Sequence, residues 1–259
     1  MLKSSDTVKR FTDKPLLAEH GFSALVDLRD AGIRILWDAG VTRIALLENA
    51  ERMGIDLATV DKIALSHGHY DHYAAMTDVL EKIAVRPSVR EWDADATIEE
   101  MENWAKGRSV PFIAHPHVFR ERWKISERTG KKYGPIIIPR EDWEAAGADL
   151  ILSEEPYRLG PGCWTTGAVP RLSLESAGIP TNLAYRKGDE FIPDYLEDDQ
   201  AIVINVRGKG LVVLSGCAHS GIVNTANYAR EISGVDKVWG IIGGVSPGTI
   251  ERGGYSVRG

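Results

Sequence analysis

The sequence predicts an α/β fold, in which strands and helices alternate in both halves of the chain. Two observations support this: short apolar runs bounded by turn residues, and amphipathic segments between them. The length of 259 residues suits one large domain or two small ones. Hydrophobic residues make up 43% of the chain and charged residues 26%, which is typical of a globular protein with a sizeable core.

The first half of the chain reads as a hairpin followed by strand and helix units. Two apolar runs flank the charged turn Arg29-Asp30-Ala31, and Gly54 ends the first helical segment. Apolar residues three and four apart predict a second helix. The predicted elements are, in order, strands at 22–28 and 32–38, a helix at 46–53, a strand at 63–65, a helix at 73–83 and a strand at 110–114.

The second half contains a hairpin, a helix and a final strand. We interpret the middle of the chain as irregular, because residues 120–133 are densely charged and residues 154–193 are broken by Pro and Gly. The turn Arg207-Gly208-Lys209-Gly210 joins two β-branched or leucine-rich runs. The predicted elements are strands at 201–206 and 211–214, a helix at 221–232 and a strand at 238–242.

Charge and composition exclude several classes of protein. A formal net charge of -6 argues against a nucleic-acid partner. A small-molecule, anionic substrate is still expected, because residues 120–132 form a locally basic segment. No run approaches the roughly 20 apolar residues that span a bilayer, and the first 14 residues lack a signal-peptide core. Cys163 and Cys217 are too few for a disulfide framework. We therefore expect a cytoplasmic protein without membrane contact, whose oligomeric state the sequence leaves open.

The strongest chemical signal is a cluster of three histidines and one carboxylate, His67, His69, Asp71 and His72, directly after an apolar strand. Imidazole nitrogen and carboxylate oxygen are good ligands of zinc and iron. Alternate residues of an extended segment point the same way, so His67 and His69 can bind one ion, while Asp71 and His72 face a second. The alternative, a solvent-exposed polar loop, does not explain this crowding. We predict one or two zinc ions, with iron or manganese as the other candidates.

This cluster resembles the His-x-His-x-Asp-His motif of the metallo-β-lactamase superfamily. The resemblance covers about residues 15–244, and further segments are similar to one subgroup, labelled 7,8-dihydropterin-6-ylmethyl-4-(β-D-ribofuranosyl)aminobenzene 5′-phosphate synthase. These segments are Ala18-Glu19-His20-Gly21-Phe22-Ser23, Trp37-Asp38-Ala39-Gly40, Ala168-Val169-Pro170-Arg171 and Gly216-Cys217-Ala218-His219-Ser220-Gly221-Ile222-Val223-Asn224. The resemblance implies a four-layer αββα sandwich, here a single domain over 1–259 with an insertion or cap at about 118–195.

The resemblance also implies roles for individual residues. His219 is the implied third histidine of the first metal site, and Asp71 the implied catalytic residue that orients or deprotonates a water. Asp38 is expected to hold a ligating histidine by its other ring nitrogen, although an ordinary turn aspartate before Gly40 would look the same. Cys217 is expected to be a small buried residue and not a ligand.

Four residues are candidates for substrate binding: His20, His115, Arg171 and Asp199. His115 ends a predicted strand, where sites commonly lie in layered α/β folds. Arg171 can bind a phosphate through two hydrogen bonds, and Asp199 belongs to an acidic pair that matches the subgroup. His20 is equally compatible with a plain turn histidine, and we expect His117 to face solvent.

The end of the chain departs from the family pattern. Where the family has Gly-Gly-Phe-His-Leu, this chain has Gly243-Gly244-Val245-Ser246-Pro247, and a further histidine segment does not follow. The atypical tail at 246–259 indicates either an incomplete C-terminal part or a genuine variant with a reduced site. We expect this tail to be poorly ordered, because few large apolar residues are present to offset the cost of ordering it.

These observations favour a metal-dependent hydrolase in which a metal-bound water attacks an ester- or phosphate-type substrate. Two alternatives stay open. One is a transferase of the pterin-ribofuranosylaminobenzene-phosphate synthase type, in which the metal stabilises a leaving diphosphate. The other is a metal-binding protein with weak or no activity, because Ser246 replaces one expected ligand.

Overall fold

The computed structural model describes residues 15–84, 95–101, 109–173 and 182–244. The tail at 246–259, with Ser246, lies outside the described residues. The chain forms two compact units: unit 1 comprises Met1–Phe119, Ile138–Ser153 and Leu159–Pro161, and unit 2 comprises Arg120–Ile137, Glu154–Arg158 and Gly162–Gly259. Strands and helices are mixed in the described chain, which confirms the α/β class. No helix among the described residues is long and apolar enough to cross a membrane.

Unit 1 is built on a five-stranded sheet with the strand order β1-β2-β3-β4-β7. The first pair is the expected antiparallel hairpin, whereas β2, β3, β4 and β7 run parallel. The strands are β1 Ala24–Leu28, β2 Ile33–Trp37, β3 Lys62–Ala64, β4 Val110–Ala114 and β7 Ala148–Leu152. The helices are α1 Arg43–Met53, α2 Tyr70–Tyr73, α3 Met76–Ile83 and α4 Arg140–Ala145.

An apolar core holds these helices against the sheet of unit 1. Trp143 of α4 is fully buried and stacks on Phe112 of β4, with ring centroids 5.0 Å apart. The edge of Tyr73 packs against the same indole at 5.8 Å. Met76 and Leu80 of α3 are also fully buried in this cluster. Since Tyr73 follows the histidine cluster directly, the core fixes the turn that carries it.

Two helices of unit 1 differ from their predicted bounds for local reasons. The first begins at Arg43, three residues earlier than expected, because the Thr42 hydroxyl caps it by accepting a hydrogen bond from the amide of Ala45. The helix predicted over 73–83 is two helices, α2 and α3. Between them, the carbonyls of Asp71 and His72 accept hydrogen bonds from the amides of Phe22 and Ala39, so contacts from other segments compete with the helical ladder.

Unit 2 contains a four-stranded antiparallel sheet that the sequence did not predict. Its order is β11-β10-β5-β6. The interpretation of the middle of the chain as irregular was therefore wrong. The strands are β5 Arg122–Ile125, β6 Lys132–Ile136, β10 Leu183–Lys187 and β11 Glu190–Pro193. All five residues of β6 are exposed, so the alternation of apolar and polar residues that marks a half-buried strand is missing there.

A second sheet has the order β14-β13-β12-β9-β8, and all of it except the end of β8 belongs to unit 2. Its central hairpin, β12 with β13, is antiparallel as predicted, and β14 runs parallel to β13. Helix α5 packs on this sheet through Ala229, which contacts a cluster that includes Val203 and Leu211. The bounds are β8 Tyr157–Gly160, β9 Cys163–Thr165, β12 Ala201–Val206, β13 Gly210–Ser215, β14 Val238–Ile242 and α5 Ile222–Ser233.

Candidate metal centre

The histidine cluster lies on the turn between β3 and α2 in unit 1. β3 is the middle strand of the sheet, and the amide of Leu65 donates to Ile113 of the neighbouring strand at 3.0 Å. Beyond β3 the chain bends at Ser66 and Gly68 and then reaches His69, whose φ of -95° and ψ of 142° place it before the first helical turn. His67 is fully buried, and His69 is half-buried. Both side chains therefore lie at the edge of the sheet where β3 ends.

Three imidazoles of this turn lie close together. The ring centroid of His67 is 4.6 Å from that of His69 and 4.3 Å from that of His72. In each of these two pairs, one ring nitrogen lies within 4.8 Å of a ring nitrogen of the partner. Imidazoles at this separation need only a small rotation to share an ion at the usual bond length of about 2.0–2.1 Å. The chemistry and the spacing of the donors therefore fit a transition metal.

Asp38 holds one of these histidines in place. Its Oδ2 lies 2.6 Å from Nδ1 of His72, and its Oδ1 accepts a 2.7 Å hydrogen bond from the amide of Ser66. Burial raises the pKa of Asp38, while the contacts with His72 and Ser66 act in the opposite direction and favour the carboxylate. The role expected for Asp38, support of a ligating histidine through its other nitrogen, matches these contacts.

Asp38 also adopts a backbone conformation that is rare for a residue with a side chain. Its φ is 60°, in the left-handed region, and its amide donates to Ala64 while its carbonyl accepts from the Ser23 hydroxyl. Such a conformation costs about 1–2 kcal/mol and persists where the surroundings determine it. Here the strain coincides with the carboxylate that positions His72.

The hydroxyl of Ser66 connects the same groups. It lies 2.7 Å from Oδ2 of Asp38, 2.9 Å from Nδ1 of His67 and 3.2 Å from Nδ1 of His72. The hydroxyl of Ser66 donates its proton best to the carboxylate of Asp38. The hydroxyl oxygen then accepts a hydrogen bond from Nδ1 of His67. A neutral imidazole protonated on Nδ1 carries its lone pair on Nε2, the atom that would bind an ion. The sequence motif alone assigns no role to Ser66.

Asp71 and His72 place two donor atoms beside each other. Oδ2 of Asp71 lies 3.5 Å from Nε2 of His72, which is too long for a good hydrogen bond. Two ligands bound at about 2.1 Å to one tetrahedral ion lie about 3.4 Å apart. Burial raises the pKa of Asp71, but its interactions with His72 outweigh burial and lower the pKa to about 2. The pair is therefore an ionised carboxylate and an imidazole at the spacing that a shared cation requires.

His20 approaches this site from the segment before β1. Its Nε2 lies 3.2 Å from Oδ2 of Asp71, although 79% of its side chain is exposed. The amide of Phe22 donates to the carbonyl of Asp71 at 3.2 Å and fixes the segment against the turn. The structure thus brings His20, predicted as a substrate-binding residue, into contact with Asp71.

Gly21 permits this approach, and its replacement gives a testable prediction. Its φ is 130°, and a Cβ atom there would lie 2.6 Å from the carbonyl oxygen of Asp71. We expect Gly21→Ala to push the segment away from Asp71, lowering the free energy of unfolding by about 1–3 kcal/mol and weakening metal binding. Gly32→Ala is the matched control, because its φ is 63° but a Cβ there meets no atom within 4 Å. Equal effects of the two variants on metal affinity would contradict this interpretation.

The carboxyl end of β4, the strand next to β3, carries a second histidine pair. His115 is buried, and its Nδ1 accepts a 3.1 Å hydrogen bond from the amide of His117. The two rings lie 4.6 Å apart in an edge-on arrangement. His117 is half-buried, so the expectation that it faces solvent was only partly met. The position of His115 at this edge agrees with its predicted place.

In unit 2, His219 and Asp199 are neighbours. Both are buried, and Oδ2 of Asp199 accepts a 2.7 Å hydrogen bond from the amide of Ser220. Burial raises the pKa of Asp199, whereas the charge of His219 and the amides of residues 219 and 220 favour its carboxylate. Asp199 thus contacts the loop that carries His219.

Arg171 lies beside the same acidic segment of unit 2. Its guanidinium donates to the carbonyl of Leu196 at 3.2 Å. Burial lowers the pKa of Arg171. The negative charges that oppose this shift are, in order of their effect on the pKa, those of Asp199, Glu197, Asp198 and Asp194. These carboxylates already offset much of the positive charge of Arg171, which a phosphate would need for binding.

The chain is similar to known proteins over most of its length. Residues 18–230 match the family model described as the metallo-beta-lactamase superfamily. The 7,8-dihydropterin-6-methyl-4-(beta-D-ribofuranosyl)-aminobenzene-5'-phosphate synthase of Methanocaldococcus jannaschii is 30% identical over 242 residues, which cover 90% of this chain and 72% of the relative. An uncharacterized protein of the same organism is 30% identical over 231 residues, 89% of this chain and 74% of its own length.

Among solved structures, the crystal structure of Tm1679, a metal-dependent hydrolase of the beta-lactamase superfamily, superimposes with a TM-score of 0.61. The two chains are 22% identical, and the match covers 89% of this chain and 71% of that one, so it supports the fold. The family match extends over most of the chain and contains the histidine cluster, as the motif predicted. The chain belongs to the metallo-beta-lactamase superfamily.

Proposed function

We propose that the chain is a metal-dependent hydrolase that acts on a small anionic ester or phosphate. In this proposal His67, His69 and His219 bind the first ion, and Asp71 and His72 bind a second, weaker one. We include His219 because it lies in the segment 216–224, which resembles the corresponding segment of the family. The observation that carries the proposal is the 3.5 Å pair of Asp71 and His72, held in position by Asp38. Zinc is the expected ion, and iron or manganese suit the same donors.

The residues of unit 1 support this chemistry directly. When bound, a divalent ion supplies positive charge that polarises the substrate and activates water. Asp71, with a pKa of about 2, is ionised at neutral pH and is able to orient that water or accept its proton. His20, which contacts Asp71 and is largely exposed, is placed to meet substrate and to donate to it. His115 is our second candidate for a substrate contact. The carboxylates around Arg171 and the burial of Asp199 favour supporting roles for those two residues.

A second candidate function is the transfer reaction of the synthase type. It is favoured by the 30% identity with the Methanocaldococcus jannaschii synthase, which covers 90% of this chain. In that reaction the same residues would hold the ion, the ion would stabilise the departing diphosphate, and water would have to be kept out. Hydrolysis ranks first because the Asp71 carboxylate, beside His72 and His20, is placed to orient a water, and the transfer reaction has no comparable requirement for one.

One experiment separates these functions. The purified protein is loaded with zinc, iron or manganese in turn, and its retained metal is measured after dialysis. We expect about one tightly held ion per chain and a second that exchanges readily. Each form is then assayed with a chromogenic phosphodiester and a lactone, and separately with a dihydropterin methyl diphosphate plus a ribofuranosylaminobenzene phosphate.

Release of alcohol or acid from the first two substrates supports the hydrolase, whereas a coupled pterin product with free diphosphate supports the transferase. Asp71→Asn should lower hydrolysis by at least about 100-fold, because the amide binds metal weakly and cannot accept a proton from water. A protein that binds metal but turns over neither set would be a binding protein. Failure to retain any metal would remove the basis of the proposal.

A further inference from the structure

We infer that Asp199 is a positioning residue for His219: its buried carboxylate fixes the main chain of residues 216–221, the His219 loop, and so aims the imidazole. The inference rests on the proposed function, in which His219 is a metal ligand. It assigns Asp199 a different task from the substrate contact that the sequence suggested.

The first observation is the contact between the two segments. Oδ2 of Asp199 accepts a 2.7 Å hydrogen bond from the amide of Ser220, the residue that follows His219. Asp199 is 1% exposed, Ser220 2% and His219 5%, so water does not compete for these groups. A hydrogen bond from an amide to a buried carboxylate contributes more to stability than one between neutral groups.

The second observation is the strain in the same loop. Ala218, immediately before His219, has a φ of 51°, in the left-handed region that residues with a Cβ rarely adopt. Its carbonyl accepts from the amide of Gly221 at 2.9 Å, which closes the loop into a tight turn. Because a left-handed residue with a Cβ is strained, this turn needs fixed contacts to persist. The hydrogen bond from Ser220 to Asp199 lies inside the turn and supplies one.

The third observation is that the other end of the loop is anchored separately. The side-chain amide of Asn224 donates to the carbonyl of Ser220 at 2.8 Å, and the hydroxyl of Thr225 donates to the carbonyl of Gly221 at 2.8 Å. Both anchors come from α5. Asp199, in contrast, comes from the segment before β12, so the loop is held from two elements. Removing Asp199 should therefore release the His219 side of the loop and leave the α5 side in place.

Asp199 is itself held by its surroundings. It ends the acidic loop, residues 194–199, where the amide of Leu196 donates to Oδ1 of Asp194 at 2.9 Å and the amide of Asp199 donates to the carbonyl of Leu196 at 3.1 Å. The guanidinium of Arg171 donates to the same Leu196 carbonyl. Among the negative charges that raise the pKa of Arg171, that of Asp199 has the largest effect. Because Asp199 is held this firmly, its carboxylate fixes the position of the Ser220 amide.

A parallel exists within the chain. In unit 1, Asp38 is buried, has a left-handed backbone and holds His72. In unit 2, a buried Asp199 holds a loop whose left-handed residue precedes His219. In both places a buried carboxylate and a strained residue accompany a predicted ligand. Such partners of metal-binding histidines typically affect affinity by about 10- to 100-fold.

The test measures zinc affinity by competition with a chelator, and the absorption spectrum of the cobalt-substituted protein. Asp199→Ala should weaken zinc binding by about 10- to 100-fold and alter the cobalt spectrum, with the number of bound ions unchanged. Asp199→Asn retains an oxygen that can accept from Ser220 and should fall between Asp199→Ala and the parent protein. Glu197→Gln is the matched control: it lies in the same acidic loop and its side chain is about half exposed, so affinity should not change.

The outcomes separate the two proposals. If His219→Ala leaves zinc affinity unchanged, the ligand assignment fails and the inference with it. If His219→Ala loses tight binding but both Asp199 variants bind zinc like the parent protein, only the inference is overturned, even where their stability falls. If Asp199→Ala loses zinc as completely as His219→Ala, Asp199 is a ligand itself and the positioning role is wrong. Should Asp199→Ala fail to fold, the affinity and spectrum of Asp199→Asn decide.

Discussion

Replacement of His67 by alanine is expected to abolish tight metal binding and, with it, catalytic turnover. The imidazole is fully buried, and its ring centroid lies within 4.6 Å of both His69 and His72. Changes to residues that only support a ligand typically cost about 10- to 100-fold in affinity, so loss of a direct ligand should cost more than about 100-fold. Elemental analysis after dialysis and a chelator competition measure the effect.

Ser66→Ala provides a graded comparison for this prediction. It removes the hydroxyl that lies 2.9 Å from Nδ1 of His67 and 2.7 Å from the Asp38 carboxylate but leaves all imidazoles in place. We expect a loss of about 10- to 100-fold in affinity, clearly smaller than that of His67→Ala. Cys217→Ser should leave binding unchanged. The ligand assignment would be wrong if Cys217→Ser removed the metal, or if Ser66→Ala were as severe as His67→Ala.

The sequence was informative where one signal dominated each segment. The cluster at 66–72 combines several strong metal ligands in a few residues, and no ordinary structural role explains such a set. The hairpin strands of both units have apolar runs and compact turns, and both were predicted correctly. Family motifs and the α/β class therefore followed from the sequence.

The remaining features depend on contacts between distant segments. Strands β5 and β6 were missed because charged residues on exposed faces hide the two-residue period. The break between α2 and α3 depends on the amides of Phe22 and Ala39, which come from a distant part of the chain. The tasks of Ser66 and Asp199 appear only when their partners are known, because a serine or an aspartate alone has many structural uses. Left-handed residues such as Asp38 likewise have no sequence signature.

The stability of unit 2 depends on a buried cluster of charges that sequence reasoning did not find. Nε of Arg122 lies 2.6 Å from Oδ2 of Asp194, and another guanidinium nitrogen lies 2.6 Å from Oδ1 of Asp198. The arginine side chain is 3% exposed and both carboxylates 0%. Burial lowers the pKa of Arg122, but the charges of Asp198 and Asp194 outweigh it and keep the guanidinium protonated. The cluster joins β5 to the acidic loop that ends at Asp199.

Arg122→Met is therefore expected to lower the free energy of unfolding by about 3–5 kcal/mol, since it leaves two buried carboxylates without their cation. Methionine has a similar length, so the loss reflects charge more than volume. Chemical denaturation followed by tryptophan fluorescence measures the change, and Trp123 lies next to the substituted residue. Adding Asp194→Asn and Asp198→Asn to the same chain should recover most of the loss, because neutral groups no longer need a cation.

The neighbouring ion pair supplies the control for this prediction. Arg120 lies 2.8 Å from Glu197, but the glutamate side chain is 52% exposed, so water screens the pair. Arg120→Met should cost less than about 1 kcal/mol, although it removes the same charge from a position two residues away. Similar losses for the two arginines would show that net charge, and not burial of the carboxylates, controls the stability of this loop. A large loss for Arg122→Met alone, recovered by the two asparagine substitutions, would locate the effect in the buried cluster.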